Sequence, residues 1–443
     1  MSNRIVIQNA TLVNEGDEFQ GSVLIEDGRI DSVKRDGLIV APHALEVDGT
    51  GLWLMPGAID DHVHMRDPGL THKATMDSET AAAAAGGVTS VMDMPNVLPP
   101  TTTLELLEER RRLGALNCHV NYAYYLGATR DNADEICRLD PTLVPGVKVF
   151  MGSSTGDMLV DDEEALRRIF ADSPVMVMAH CEDAARIDQR MAEAVARYGD
   201  DPDVSLHPII RDAEACYQST VRAIGLARET GARLHVAHVS TELELSLFEG
   251  ACPRISAEAC VAHLLYCDAD YARLGTRIKC NPAVKSVRDR DALRRALNDG
   301  RITLVATDHA PHLLTEKEGG CRRAASGMPM VQYSLPAMLT LSDEGVLSRQ
   351  RVVELMAHAP ARLFSIRGRG FIREGYRADL VLLSRKPQEV SREGILSLCG
   401  WSPLEGRTLG WTVERTWVNG ELVWDGAEVD RRVLGEPLRF DRP

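Results

Sequence analysis

The sequence predicts an α/β protein: a parallel (β/α)8 TIM-type barrel with a small β-sandwich domain formed by both chain ends. Three observations carry that expectation. Eight short apolar segments alternate with helical stretches through the middle of the chain, the pattern of parallel strands joined by crossover helices. Both ends hold alternating runs around turn dipeptides, Asp27-Gly28 and Asn419-Gly420, which are strong hairpin signals. Finally, His62, His64, Asn96, His180, His238 and Asp308 each close or follow a central strand, at the rim where barrel enzymes place their chemistry. Residues 1–54 and 369–443 are expected to form the two parts of the sandwich, and 55–368 the barrel.

Taken in order, the first strands read as Arg4–Ala10, Ser22–Glu26 and Arg29–Val33. The barrel strands read as Leu54–Ile59, Val88–Met94, His119–Leu126, Gly146–Phe150, Val175–His180, Arg233–Val239, Arg254–Ala259 and Ile302–Thr307. Thr75–Ala85 is an alanine-rich helix stopped by Gly86-Gly87. The long stretch Cys181 to Thr230 holds two helices around a Pro-containing loop, and the tail adds strands Asp379–Leu383, Val413–Val418 and Glu421–Trp424.

Composition narrows the function. A 44% hydrophobic and 26% charged make-up over 443 residues is that of a globular protein with a large core. A net charge of −15 argues against a nucleic-acid surface, so any anionic ligand must be captured by local cations. No apolar run is long enough to cross a bilayer, and Met1-Ser2-Asn3-Arg4-Ile5-Val6-Ile7 reads as a first strand rather than a signal peptide. Ten cysteines occur without any C-x-x-C pair, which fits buried free thiols in a reducing cytoplasm. Cys181 and Cys260, although beside site residues, are given that same role.

Lys148 is the most telling residue. It lies within Val144-Pro145-Gly146-Val147-Lys148-Val149-Phe150-Met151, a run that reads as a buried strand, where a lone cation is strongly disfavoured. The histidines and Asp308 would suit two divalent metals, and an ammonium among them would be repelled. A lysine that has taken up CO2 becomes an anionic carbamate able to bridge both ions. In His62-Val63-His64, extended alternation points both imidazoles to one side. Arg66, just beyond, is suited to a substrate carboxylate; the alternative is a structural salt bridge. His180 and His238 end neighbouring strands. His235 and His309 are expected to pack, whereas His312 is a substrate contact. Asp308 can bind a metal and also take a proton from water and pass it on. Residues 313–325 read equally as a cover over the site or as a solvated loop.

These stretches resemble the amidohydrolase superfamily and, within its cyclic-amidohydrolase branch, the dihydroorotase family. Asp61-His62-Val63-His64-Met65-Arg66-Asp67-Pro68-Gly69 looks like that family's signature, and Met94-Pro95-Asn96, Asn281-Pro282 and Asp308-His309-Ala310-Pro311-His312 are similar to its later motifs. The likeness runs from about Ile5 to Trp424 and includes Gly375-Tyr376-Arg377-Ala378-Asp379-Leu380-Val381. It implies a cytoplasmic zinc enzyme of pyrimidine biosynthesis that interconverts N-carbamoyl-L-aspartate and L-dihydroorotate by way of a hydroxide held between two zinc ions. His62, His64 and Asp308 would hold one zinc, His180 and His238 the other, with carboxylated Lys148 bridging and Asp308 as proton shuttle. Arg66, Asn96 and His312 would bind the substrate carboxylate, and Asn281 with the backbone near Gly327 its ring. The partner is then a small molecule, with a homodimer or homotetramer expected by family analogy.

The sequence also departs from that family. Gly146–Met151 looks more like the hydantoinase version, since many bacterial relatives with this signature have aspartate as the bridge, and Ser326-Gly327-Met328-Pro329 differs from the usual ring-binding loop. The competing readings are a hydantoinase or allantoinase, against which Arg66 argues, and a non-catalytic relative, against which the complete ligand set argues.

Overall fold

The computed structural model describes residues 4–152, 158–250 and 253–442; Met1-Ser2-Asn3 and Cys252 lie outside them. The N-terminal strands are β1 (Arg4–Asn14), β2 (Asp17–Glu26), β3 (Arg29–Arg35), β4 (Leu45–Asp48) and β5 (Trp53–Pro56). The central strands are β6 (Ala58–Val63), β7 (Val88–Asp93), β8 (Asn121–Tyr124), β9 (Leu126–Gly127), β10 (Gly146–Phe150), β11 (Met176–His180), β12 (Leu234–Val236), β13 (Ile255–Cys260) and β14 (Leu304–Ala306). The tail contributes β15 (Leu380–Ser384), β16 (Gln388–Glu389), β17 (Thr408–Leu409), β18 (Thr412–Val418) and β19 (Glu421–Trp424).

Both chain ends meet in one sheet, ordered β19-β18-β15-β5-β1-β2-β3 with β4 alongside β1. Ile5, Ile7, Leu12, Val23 and Ile25 share its apolar core with Leu380, Leu382 and Trp417. The two expected turns are present, with positive φ at both central residues: 48° and 78° at Asp27-Gly28, 53° and 80° at Asn419-Gly420. That is type I′ geometry. The two turns also touch. A Cβ on Gly28 would lie 2.6 Å from the Asn419 carbonyl oxygen, and Ala378 ties them by donating to Gly28 O and accepting from Gly420 N at 3.0 Å each.

The central strands run parallel, with β8 and β9 forming one strand interrupted at Tyr125. The barrel closes where β14 returns to β6. His64 N donates to His309 O at 2.7 Å, Val63 bridges His309, and the Asp60 carboxylate accepts from Thr307 N at 3.1 Å and Thr307 Oγ1 at 2.5 Å. Alternation sorts the side chains. Val147, Val149, Val177, Ala179, Ala257, Ala259 and Val305 pack in the main core with the helices, while Met176, Met178, Cys260, Leu304 and Ala306 form a separate inner cluster. Lys148, His180 and Glu258 share the parity of the inner set.

The segment expected as one strand, Leu54–Ile59, is split at Gly57. Its first half, β5, pairs with β15 in the terminal sheet, and the barrel strand begins only at Ala58. Gly57 leaves no room for a side chain, since a Cβ would lie 2.1 Å from Thr89. The helix Met76–Ala85 forms as expected, capped by Thr75, which pairs reciprocally with Ser78. Two long helices, Ala184–Tyr198 and Ala213–Thr230, fill the Cys181–Thr230 stretch. Among the described residues no helix is long and apolar enough to cross a membrane.

Gly16 and Gly28 have nearly the same φ, 81° and 78°, yet a Cβ on Gly16 would meet nothing within 4 Å. Both Ala substitutions therefore carry a left-handed backbone penalty of about 1–2 kcal/mol, but only Gly28→Ala also drives the two turns apart. Denaturant unfolding is expected to show Gly28→Ala as the more destabilised; equal losses would mean the junction of the chain ends contributes nothing.

Candidate metal centre

At the end of β6 the chain brings two imidazoles onto one carboxylate oxygen. Asp308 Oδ1 lies 3.0 Å from His64 Nε2 and 3.4 Å from His62 Nε2. Beside this group, His180 Nδ1 and His238 Nε2 face each other at 2.8 Å, and the His62 and His238 ring centroids are 5.3 Å apart, so the two pairs adjoin. Lys148 Nζ stands 3.5 Å from His62 Nε2. Every one of these side chains is buried except that of Asp308, which is 14% exposed.

The nitrogens facing away from the cluster are held from outside. His62 Nδ1 lies 2.5 Å from Glu258 Oε1, His64 Nδ1 lies 2.7 Å from Asn96 Oδ1, and His180 Nε2 lies 2.8 Å from Glu182 Oε2. Glu182 also accepts from Arg211 at 2.5 Å. Glu258 additionally accepts the backbone N–H of His238 at 3.0 Å and faces His235 Nε2 at 3.2 Å. Such outer partners fix ring orientation and leave the inner nitrogen free as a ligand. Arg66, His238 and Asp308 have φ values of 64°, 38° and 48°. Left-handed backbone at three non-glycine residues of one site is strain of the kind that clusters at functional centres.

The electrostatics favour deprotonated donors. Burial lowers His64 to about 4, although Asp308 opposes the shift. Burial pushes the Asp308 carboxyl up, but His62, His64 and Lys148 more than offset it and hold it at about 2. Burial also lowers the Lys148 ammonium, which favours the neutral amine that can add CO2. The donor set, four imidazoles, a carboxylate and an amine with their basic atoms turned inward, fits divalent metal. Asp61 is a different case: burial, with Glu258 and Asp60 nearby, pushes it well above the usual carboxylate range.

Beside the cluster, Arg66 donates to Pro311 O at 3.2 Å and to His312 Nε2 at 3.1 Å. Lys73 lies 3.3 Å from His312 Nδ1 and pairs with Glu316 at 2.8 Å. Gly327 packs against the same histidine, because a Cβ there would fall 3.1 Å from His312 Cδ2. Asn281 meets His207 Nε2 at 3.1 Å through its Oδ1. His309 packs as expected, its Nε2 2.7 Å from Glu79, and His235 is held by Ser256 at 2.8 Å. Cys181 and Cys260 are buried free thiols, and burial pushes Cys181 up to about 12.

Sequence reasoning missed Glu258, Glu182, Lys73 and Arg211. Glu258 was legible by the rule that singles out Lys148: it is a lone charge inside the apolar run Ile255–Cys260. The other three occupy segments with no comparable contrast.

A parallel barrel with this donor set at the strand ends defines a metal-dependent hydrolase. Residues 53–423 match the model of the amidohydrolase family. A dihydroorotase of Halobacterium salinarum is 36% identical over 92% of this chain and 96% of its own length, and an allantoinase of Rubrobacter xylanophilus is 32% identical over 99% and 97%. The solved L-hydantoinase of Arthrobacter aurescens superimposes with a TM-score of 0.92 at 27% identity, covering 99% of this chain and all of that one. The chain belongs to the amidohydrolase family.

Glu258 carries the charge that orients His62 and abuts the His238 backbone. Glu258→Gln keeps the shape and removes that charge, and is expected to weaken metal binding about 10- to 100-fold in a competition titration with a chromogenic chelator. Unchanged affinity would show that Glu258 only fills space.

Proposed function

We propose that the protein is a dihydroorotase, interconverting N-carbamoyl-L-aspartate and L-dihydroorotate plus water. One observation carries the choice of substrate. The buried guanidinium of Arg66 meets His312 at 3.1 Å immediately beside the His64–Asp308 group. A fixed cation within a water-poor site is suited to a substrate that always brings a carboxylate, which dihydroorotate does and hydantoin does not. The strong similarity to the halobacterial dihydroorotase supports the same reading.

In this reading His62, His64 and Asp308 would hold one zinc and His180 and His238 a second, and Lys148, as a carbamate, would supply a further anionic ligand. The carbamate forms when the neutral amine adds CO2 and releases one proton. When bound, the metal supplies Lewis acidity that brings water to a pKa near about 7 and polarises the ring carbonyl. The chain's own residues supply the rest. Arg66 and His312 hold the substrate carboxylate, together with the amide of Asn96, whose Oδ1 faces His64. Asn281 and the Gly327 backbone place the ring. Asp308, ionised well below neutral pH, takes the proton of the attacking water. As the water oxygen bonds to the carbonyl carbon and the ring C–N bond breaks, Asp308 delivers that proton to the departing nitrogen. Cyclisation runs the same steps backwards.

Direct assay of zinc-loaded protein with L-dihydroorotate, hydantoin and allantoin tests the proposal. Dihydroorotate is expected to have the highest kcat/KM, and preference for either of the others would overturn it. Arg66→Ala is expected to raise KM for dihydroorotate by about tenfold or more; an unchanged KM would place Arg66 outside the substrate site.

A further inference from the structure

The segment after β14 carries an unexpected buried amino group. Lys317 closes the turn Leu314–Lys317 and is only 2% exposed. Its Nζ donates to Lys279 O at 3.0 Å, Ala325 O at 2.6 Å and Gly327 O at 2.7 Å. The adjacent carboxylate, Glu316, is engaged by Lys73 at 2.8 Å, so backbone dipoles hold the amine. Three acceptors match the three N–H donors of an ammonium; a neutral amine would present a lone pair to one of them.

Those carbonyls belong to two separate loops. Lys279 lies two residues before Asn281, in the loop that follows β13, whereas Ala325 and Gly327 follow β14. Gly327 N also donates to Lys279 O at 2.9 Å, and Gly327 packs so closely that a Cβ would sit 2.7 Å from Ala310 O. Any shift of Gly327 therefore moves the wall beside His312. Further along, Gly320 N and Arg322 N donate to the Asp201 carboxylate at 2.8 and 2.9 Å, and Cys321 N donates to Pro202 O at 2.7 Å. The segment expected as a cover or a solvated loop is thus a strap fastened along its length.

We propose that Lys317 is a positioning residue for the substrate ring, its ammonium tying three backbone carbonyls so that the Asn281 loop and Gly327 stay in fixed relation beside His312. The ring-binding roles of Asn281 and Gly327 rest on the dihydroorotase reading; the knot of hydrogen bonds does not. Without the ammonium, Ala325 O and Gly327 O lose the donor they have, and buried carbonyls must find another. The loops then shift while the metal ligands, fixed on strand ends, do not. The loss falls on ring binding.

The test measures KM for L-dihydroorotate, kcat and bound zinc for zinc-loaded wild type, Lys317→Met and Lys317→Gln. Lys317→Met is expected to raise KM about tenfold or more, with kcat changed less than about threefold and zinc content equal to wild type. Lys317→Gln retains two N–H donors and is expected to fall between the two. An unaltered KM in both variants, or KM, kcat and zinc content deteriorating together, would overturn the proposal. If Lys317→Met does not accumulate as folded protein, Lys317→Gln decides by the same split. If wild type does not turn over L-dihydroorotate, the functional reading falls, and the comparison is made with hydantoin or allantoin, whichever it hydrolyses, to decide the role of Lys317 separately.

Discussion

Basic nitrogens that face one another in a water-poor interior repel through their lone pairs unless a proton or a metal ion lies between them. This constraint organises the barrel mouth. His180 Nδ1 and His238 Nε2 stand 2.8 Å apart, and beside them two imidazoles converge on one oxygen of Asp308. Nothing intrinsic to a barrel holds side chains so. They are held by Glu258, Asn96 and Glu182 on the outer nitrogens, by the Asp60–Thr307 clasp that closes β14 onto β6, and by left-handed backbone at His238 and Asp308. The polar skeleton of the barrel serves to keep these donors facing inward, an arrangement suited to a divalent cation.

The terminal sheet extends that support. Its strands come from both ends of the chain, and the tail beyond β15 reaches back under the site. Trp401 Nε1 donates to His312 O at 2.7 Å. Ser397 Oγ donates to Glu79 at 2.6 Å, and Glu79 in turn holds His309 at 2.7 Å. The loop bearing Asp308 and His312 is therefore fixed both from the barrel and from a segment almost ninety residues later. This is one physical reason for a chain to bring its two ends together beside a catalytic barrel.

Much of this was legible in the sequence because it follows from local rules. Alternating and apolar runs gave the barrel strands to within a few residues, and Asp-Gly and Asn-Gly gave both hairpin turns. Lys148 stood out because a charge in an apolar strand has no ordinary explanation, and His62 and His64 because extended alternation aims them together. What the sequence hid depends on distant contacts. The split of Leu54–Ile59 at Gly57 is decided by Thr89 and by pairing with β15. Glu182 and Arg211 acquire meaning only when a loop folds over the barrel. Lys317 looks like a solvated charge until Lys279 and Gly327 are brought to it.

The proposed carbamate at Lys148, which would join two zinc ions, is open to carbon-13 NMR. Protein loaded with zinc and labelled with 13C-bicarbonate should show a protein-bound carbamate resonance, two zinc ions per chain, and loss of both in Lys148→Ala. A fully active, metal-replete protein with an unmodified amine at Lys148 and no carbamate resonance would exclude the carbamate bridge.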